Sequence, residues 1–80
     1  MKATVLVRPK QGILDPQGQA VENALQHLGF PVSEARIGRV VDLQLADMAE
    51  GEARDSIEQM CRQLLANPLI ESYEIVDVQP

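Results

Sequence analysis

The sequence predicts an α+β protein with a two-layer β-α-β-α-β order, in which two helices cover one face of a small sheet. Three short runs rich in β-branched and aliphatic residues predict the strands, and two runs with apolar residues at helical spacing separate them. Proline or glycine stands near most boundaries between these runs. A chain of 80 residues forms one domain, residues 1–80, with a thin hydrophobic core.

The first strand is predicted at residues 2–9. Residues 4–7 are Thr-Val-Leu-Val, a composition typical of strands. The strand ends at Pro9, because proline has no backbone N–H to donate to a sheet.

The first helix is predicted at residues 16–28. Asp15 can cap its free amides, and Pro16 has the fixed φ that suits a first helical position. Gly29 then ends the helix. Its predicted core stripe consists of Val21, Ala24, Leu25 and Leu28.

The second strand is predicted at residues 35–46. Val41, Leu43 and Leu45 alternate with polar residues, which indicates a long strand with one buried face. Gly38 marks a predicted kink or bulge within it.

The second helix follows an acidic connection at residues 47–52 and runs to about residue 67. Asn67-Pro68 ends it, and residues 69–78 form the last strand. The resulting order resembles half of a ferredoxin-like architecture. The predicted core stripe of this helix consists of Ile57, Met60, Cys61 and Leu64.

Apolar residues of the first and last strands lie on both faces of the sheet. Residues 5–7 and 75–76 are apolar in succession, and successive residues of a strand point to opposite faces. Two helices cover one face, and each large side chain left exposed on the other forgoes about 1.5–3 kcal/mol. We therefore expect a second copy to complete the fold, as a homodimer or homotetramer.

Composition and charge argue against several classes of function. The net charge of −5 gives no general attraction to nucleic acid or to anionic membranes. Phe30 and Tyr73 are the only aromatic residues, so no set of rings could stack on bases. With one cysteine, no signal-peptide pattern and no long apolar run, the chain is expected to be cytoplasmic, with no nucleic-acid or membrane partner.

The chain offers few groups for catalysis or metal binding. His27 falls in the last turn of the first helix, where the helix dipole favours its charge. Cys61 lies on an apolar stripe, and no basic neighbour is placed to stabilise a thiolate there. The sequence contains no CxxC or HxxxH pattern. We therefore predict no catalytic residue, no metal ligand and no cofactor bound by this chain.

Basic side chains gather at the ends of the predicted strands. Arg8 and Lys10 follow the first strand, and Arg36 and Arg39 lie in the second. Arg39 is in phase with apolar positions, so it either extends from apolar surface or reaches a carboxylate on another chain. A phosphate or substrate contact is the alternative, although the GxxxxGK phosphate loop is absent. The loop of residues 10–15 is a further docking candidate. The candidate partner-interface residues are Arg8, Lys10, Asp15, Arg36 and Arg39.

Four segments together resemble the PurS family, the small subunit of phosphoribosylformylglycinamidine (FGAM) synthase. They are residues 14–18, 24–30, 36–45 and 64–75. No single segment is very specific, whereas their order and spacing over nearly the whole chain are. Where the family has Gly-Lys in the second strand, this sequence has Gly38-Arg39, which keeps the charge and changes its geometry.

The resemblance implies a PurS-like fold and a non-catalytic subunit of an ATP- and glutamine-dependent carbon-nitrogen ligase in de novo purine biosynthesis. In such a complex a PurL-type synthetase uses ATP and Mg to activate the amide of formylglycinamide ribonucleotide, and a PurQ-type glutaminase releases ammonia. The small subunit is implied to bridge the two and to support ammonia transfer. The alternative is a free-standing ferredoxin-like regulatory module that binds a small effector at a dimer interface.

Overall fold

The computed structural model describes residues 1–80 and contains the predicted β-α-β-α-β order. The elements are β1 (Lys2–Pro9), α1 (Pro16–His27), β2 (Arg39–Gln44), α2 (Glu50–Met60) and β3 (Glu71–Gln79). A π-helical turn, Cys61–Leu65, extends α2. Neither helix has the length and apolar character needed to cross a membrane.

The sheet has the strand order β2-β1-β3, and both pairings are antiparallel. Val5 on the central strand pairs with Val41 on one side and with Ile75 on the other. Between Thr4 and Val5 the β3 partner changes from Asp77 to Ile75, so Val76 is an extra, bulged residue. Both outer strands keep an unpaired edge.

The hydrophobic core lies between one face of this sheet and the second helix. Ile57, Val5, Val7 and Cys61 are the largest fully buried side chains. Alternate residues of β1 are buried because successive side chains of a strand point to opposite faces. The core is thin, as the chain length predicts.

The expectation that both helices cover the sheet is wrong for the single chain. Gly18 is the only buried residue of α1, and Leu28 of its predicted core stripe is 73% exposed. The start of α1 is tied to residues 35–37 rather than to the sheet. The molecule is therefore elongated, with a radius of gyration of 15.8 Å, against about 12 Å for a compact domain of this size.

The second strand is shorter than residues 35–46. Its ladder begins at Arg39, which pairs with Val7. Ahead of it, the Ile37 N–H donates to the Asp15 carboxylate instead of to β1. The predicted kink at Gly38 is a place of close approach, since a Cβ at that position would collide with the carbonyl oxygen of Val7.

The predicted core position of Leu64 is also wrong, because this side chain is 83% exposed. The π turn, in which the Ala66 N–H donates to the Cys61 carbonyl at 3.0 Å, inserts one extra residue into the helical turn. This extra residue changes the phase of the helix, so Leu65 packs against the core instead. A second turn at residues 68–70 then delays β3 to Glu71.

The face of the sheet opposite α2 carries both apolar and polar side chains. Leu6 is half-buried and pairs with Val40, which is 60% exposed. Next to them, the Thr4 hydroxyl donates to the Asp42 carboxylate at 3.1 Å. The expected second face with uncovered apolar residues is therefore present, although polar groups share it.

Candidate functional site

The start of α1 is fixed by the carboxylate of Asp15. Its Oδ1 accepts from the Gly18 N–H at 3.0 Å, and its Oδ2 accepts from the Ile37 N–H at 2.8 Å. These two backbone donors, first that of Gly18, hold the pKa of Asp15 below its ordinary value. Asp15 therefore links the first helix to the segment that leads into β2.

Gly18 completes this junction because it lies against the backbone of residue 35. A Cβ at Gly18 would fall 2.5 Å from the Ala35 carbonyl oxygen, and it would also collide with the Asp15 carboxylate. Only glycine lets these segments approach so closely. Residues 14–18, which first suggested a capped helix, thus also fix the position of α1 relative to β2.

Arg39 and Glu71 form a bidentate ion pair across the central strand. Arg39 Nη1 lies 2.6 Å from Glu71 Oε2, and Nη2 lies 3.1 Å from Oε1. Nη2 also donates to the Leu65 carbonyl at the end of the π turn. The hydrogen bond with Glu71 raises the pKa of Arg39, and the same bond lowers the pKa of Glu71. Of the alternatives left open for Arg39, the structure shows a salt bridge, and its carboxylate belongs to the same chain.

Lys10 is likewise held within the chain. Its Nζ donates to the Pro68 carbonyl at 2.7 Å, and its backbone N–H donates to the Ile70 carbonyl at 2.9 Å. These bonds join the loop after β1 to the turn before β3. The docking loop predicted from residues 10–15 is therefore anchored at its base.

Arg8 and Arg36 line one cleft of about 500 Å³ at the same end of the sheet. Their ion pairs are loose: Arg8 Nη1 lies 3.8 Å from Glu74 Oε2, and Arg36 Nε lies 3.8 Å from Glu34 Oε1. Arg36 Nη2 is buried and has no hydrogen-bond partner. A buried donor left in this state costs about 1–3 kcal/mol, and more when it is charged.

The structure thus brings all five predicted interface residues to one end of the molecule, where β1 ends and β2 and β3 begin. A second cleft of about 240 Å³ lies there, lined in part by Ile13, Leu14 and Ile70. Leu14 and Leu69 are both largely exposed. Sequence reasoning missed Leu69 and Ile70 as surface residues by assigning them to a strand, although Asn67-Pro68 directly before them signals a turn.

The remaining chemical candidates do not converge on a site. His27 is exposed near the end of α1, and Cys61 lies in the core, where burial raises the pKa of its thiol. No group of three or more histidine, cysteine, aspartate and glutamate side chains is placed to hold a metal ion. Grouped arginines beside exposed apolar side chains are typical of surfaces that bind another protein.

Comparison with known proteins identifies a family. The model of the PurS family, phosphoribosylformylglycinamidine (FGAM) synthase, matches residues 2–79. The FGAM synthase subunit PurS of Methanocaldococcus jannaschii is 40% identical over 75 residues, covering 92% of this chain and 90% of that protein.

Two solved structures show the same fold. Thermus thermophilus PurS superposes with a TM-score of 0.85 at 42% identity, over 99% of this chain and 94% of that one. A chain in the structure of PurLQS from Thermotoga maritima superposes with a TM-score of 0.82 at 26% identity, over 98% of this chain and 99% of that one.

Proposed function

The chain belongs to the PurS family of FGAM synthase subunits, and on that premise we propose that it bridges a PurL-type synthetase and a PurQ-type glutaminase. In this role it has no active site of its own and supports the transfer of ammonia between the two larger subunits. The observation that carries the proposal is the likeness, over nearly its full length, to a chain of the T. maritima PurLQS structure.

The distribution of polar and apolar groups supports a bridging role. At the end of the sheet that holds Arg8 and Arg36, exposed apolar side chains such as Leu14 and Leu69 lie beside charged ones. Apolar residues surrounded by polar groups are typical of protein interfaces. We propose this end, with the candidate residues Arg8, Lys10, Asp15, Arg36 and Arg39, as the surface that meets a larger subunit.

Self-association is a separate part of the proposal. The single chain leaves Val21, Leu28 and Phe30 exposed along and after α1. Covering such a stripe by a second copy removes apolar surface from water at about 25 cal/mol per Å². We propose a homodimer or homotetramer, which light scattering of the isolated chain at micromolar concentration checks. A stable monomer would contradict this part.

The cofactor and compartment follow from the proposed complex. ATP and Mg belong to the synthetase step, and this chain binds neither. We propose the cytoplasm as the place where the complex works. The free-standing regulatory module is the weaker candidate, because the M. jannaschii relative is a subunit of FGAM synthase.

Reconstitution tests the bridging role. Synthetase and glutaminase subunits are combined with and without this chain, and glutamine-dependent FGAM formation is followed alongside ammonia-dependent formation. We expect the chain to restore the glutamine-dependent reaction while the ammonia-dependent reaction changes little. Equal coupling of glutamine hydrolysis to synthesis without the chain would reject the proposal.

A further inference from the structure

We infer that the cleft between Arg8 and Arg36 binds one carboxylate, an aspartate or glutamate side chain presented by a larger subunit of the complex. The inference rests on the proposed function and names the chemistry of one contact within it. Leu6 and Val40 pair across β1 and β2 and line this cleft together with the two arginines. The cleft is thus a cationic site with apolar walls.

Gly38 keeps the space beside Arg8 open. A Cβ at this position would lie 3.3 Å from Arg8 Cγ, and it would also collide with the Val7 carbonyl oxygen. Glycine therefore permits the segment that carries Arg36 to run close against the end of β1. This close approach brings Arg8 and Arg36 together on the lining of one cleft.

Among the basic residues at this end, Arg8 and Arg36 are the ones whose guanidinium groups make no hydrogen bond within the chain. Lys10 and Arg39 make short bonds within the chain, at 2.7 Å to Pro68 and at 2.6 Å to Glu71. By contrast, the ion pairs of Arg8 and Arg36 are both 3.8 Å long, and Arg36 Nη2 is buried without an acceptor. The side chains of Arg8 and Arg36 are 59% and 29% exposed, so their accessible N–H groups can donate to an acceptor supplied by another molecule.

The surroundings of the two arginines favour a carboxylate over a phosphate. Glu34 and Glu74 lie near them and already offset part of their charge, so a phosphate dianion would be repelled more strongly than a single carboxylate. A carboxylate carries one negative charge and matches the planar fork of a guanidinium. The apolar walls formed by Leu6 and Val40 would keep water away from the paired charges, which strengthens their attraction.

Binding of the Arg36→Met variant to the larger subunits tests the inference. The dissociation constant is measured by calorimetry for the full chain, with Arg54→Met as the matched control, since Arg54 on α2 has a similarly loose pair, 3.6 Å to Glu50. We expect Arg36→Met to weaken binding by about tenfold or more and Arg54→Met to change it by less than about twofold. Arg8→Met is the second variant and is also expected to weaken binding. It carries the test if Arg36→Met folds poorly.

Every other outcome overturns the inference, and each one indicates a different explanation. Failure of the unaltered chain to bind either subunit rejects the proposed function as well. Unchanged binding by folded Arg8 and Arg36 variants rejects this contact alone. If Arg36→Met instead dissociates the homo-oligomer, the carboxylate belongs to a second copy. If the isolated chain binds inorganic phosphate through Arg36 while assembly is unaffected, the cleft is a small-anion site.

Discussion

The guanidinium of Arg39 on β2 reaches across the central strand and meets the carboxylate of Glu71 on β3, with 2.6 Å between Nη1 and Oε2. The same guanidinium bonds the last carbonyl of the π turn, that of Leu65. One side chain therefore links both outer strands of the sheet to the end of the second helix.

Replacing Arg39 by methionine is expected to lower the free energy of unfolding by about 1 kcal/mol, the upper range for a partly exposed ion pair of good geometry. The control is Arg54→Met, which removes a helical pair of 3.6 Å and is expected to cost less than about 0.5 kcal/mol. Urea denaturation measures both. Equal losses would show that the link between the strands adds no stability.

Gly18→Ala is expected to destabilise the protein by about 1–3 kcal/mol, because the new methyl group must displace backbone. In the structure its Cβ would lie 2.5 Å from the Ala35 carbonyl oxygen. Gly51→Ala is the matched control, since a Cβ at Gly51 on α2 meets nothing within 4 Å. That change is expected to stabilise by up to about 1 kcal/mol through helix propensity. A neutral Gly18→Ala would contradict the close junction of α1 with residue 35.

Stability should decline on acidification through the carboxylates of Asp15 and Glu71. The pKa of each is lower in the folded chain than its ordinary value, so the unfolded chain binds protons more readily. Their contribution is complete above about pH 5 and is lost as the pH falls through the folded pKa values. Urea midpoints measured from neutral pH down to about pH 3 follow the loss. Glu71→Gln should flatten the profile, and an unchanged slope would exclude Glu71 as a source.

Leu64→Ala is expected to cost less than about 1 kcal/mol in the isolated chain, because surface substitutions usually have small effects and Leu64 is 83% exposed. Ile57→Ala, at a fully buried position of the same helical segment, should cost about 2–5 kcal/mol. Thermal or urea unfolding separates the two. Similar large losses would mean that the helix continues without the π turn.

The Cys61 thiol is expected to react slowly with iodoacetamide in the folded chain. It lies in the core, and burial raises its pKa, which lowers the thiolate fraction at neutral pH. Mass spectrometry follows the alkylation, with urea-unfolded chain as the fast reference. Rapid labelling of the native chain would contradict the buried position.

Cys61→Ser should leave the turnover of a reconstituted complex within a few-fold of that of the unaltered chain, because Cys61 has no partner for catalysis around it.

Local pattern was sufficient to predict the order of the elements and the grouping of the basic residues. Alternation correctly predicted that Val41, Leu43 and Leu45 share the buried face, and the Asp15-Pro16 pair correctly marked the start of α1. Antiparallel pairing then brings Arg8, at the end of β1, close to the start of β2. These predictions depend only on residues that are neighbours in the chain and on where each strand ends. The spacing of apolar and turn-forming residues reveals both.

The sequence by itself therefore determined which segments are strands and helices and which family the chain resembles. Only the tertiary structure decided what each segment packs against. It left α1 without a partner on the sheet, turned Leu64 outward through the π turn, and gave Arg39 a carboxylate from its own chain. The physical reason is that hydrogen-bond register and helix phase depend on contacts between residues distant in sequence, and a change of one residue redirects every later side chain.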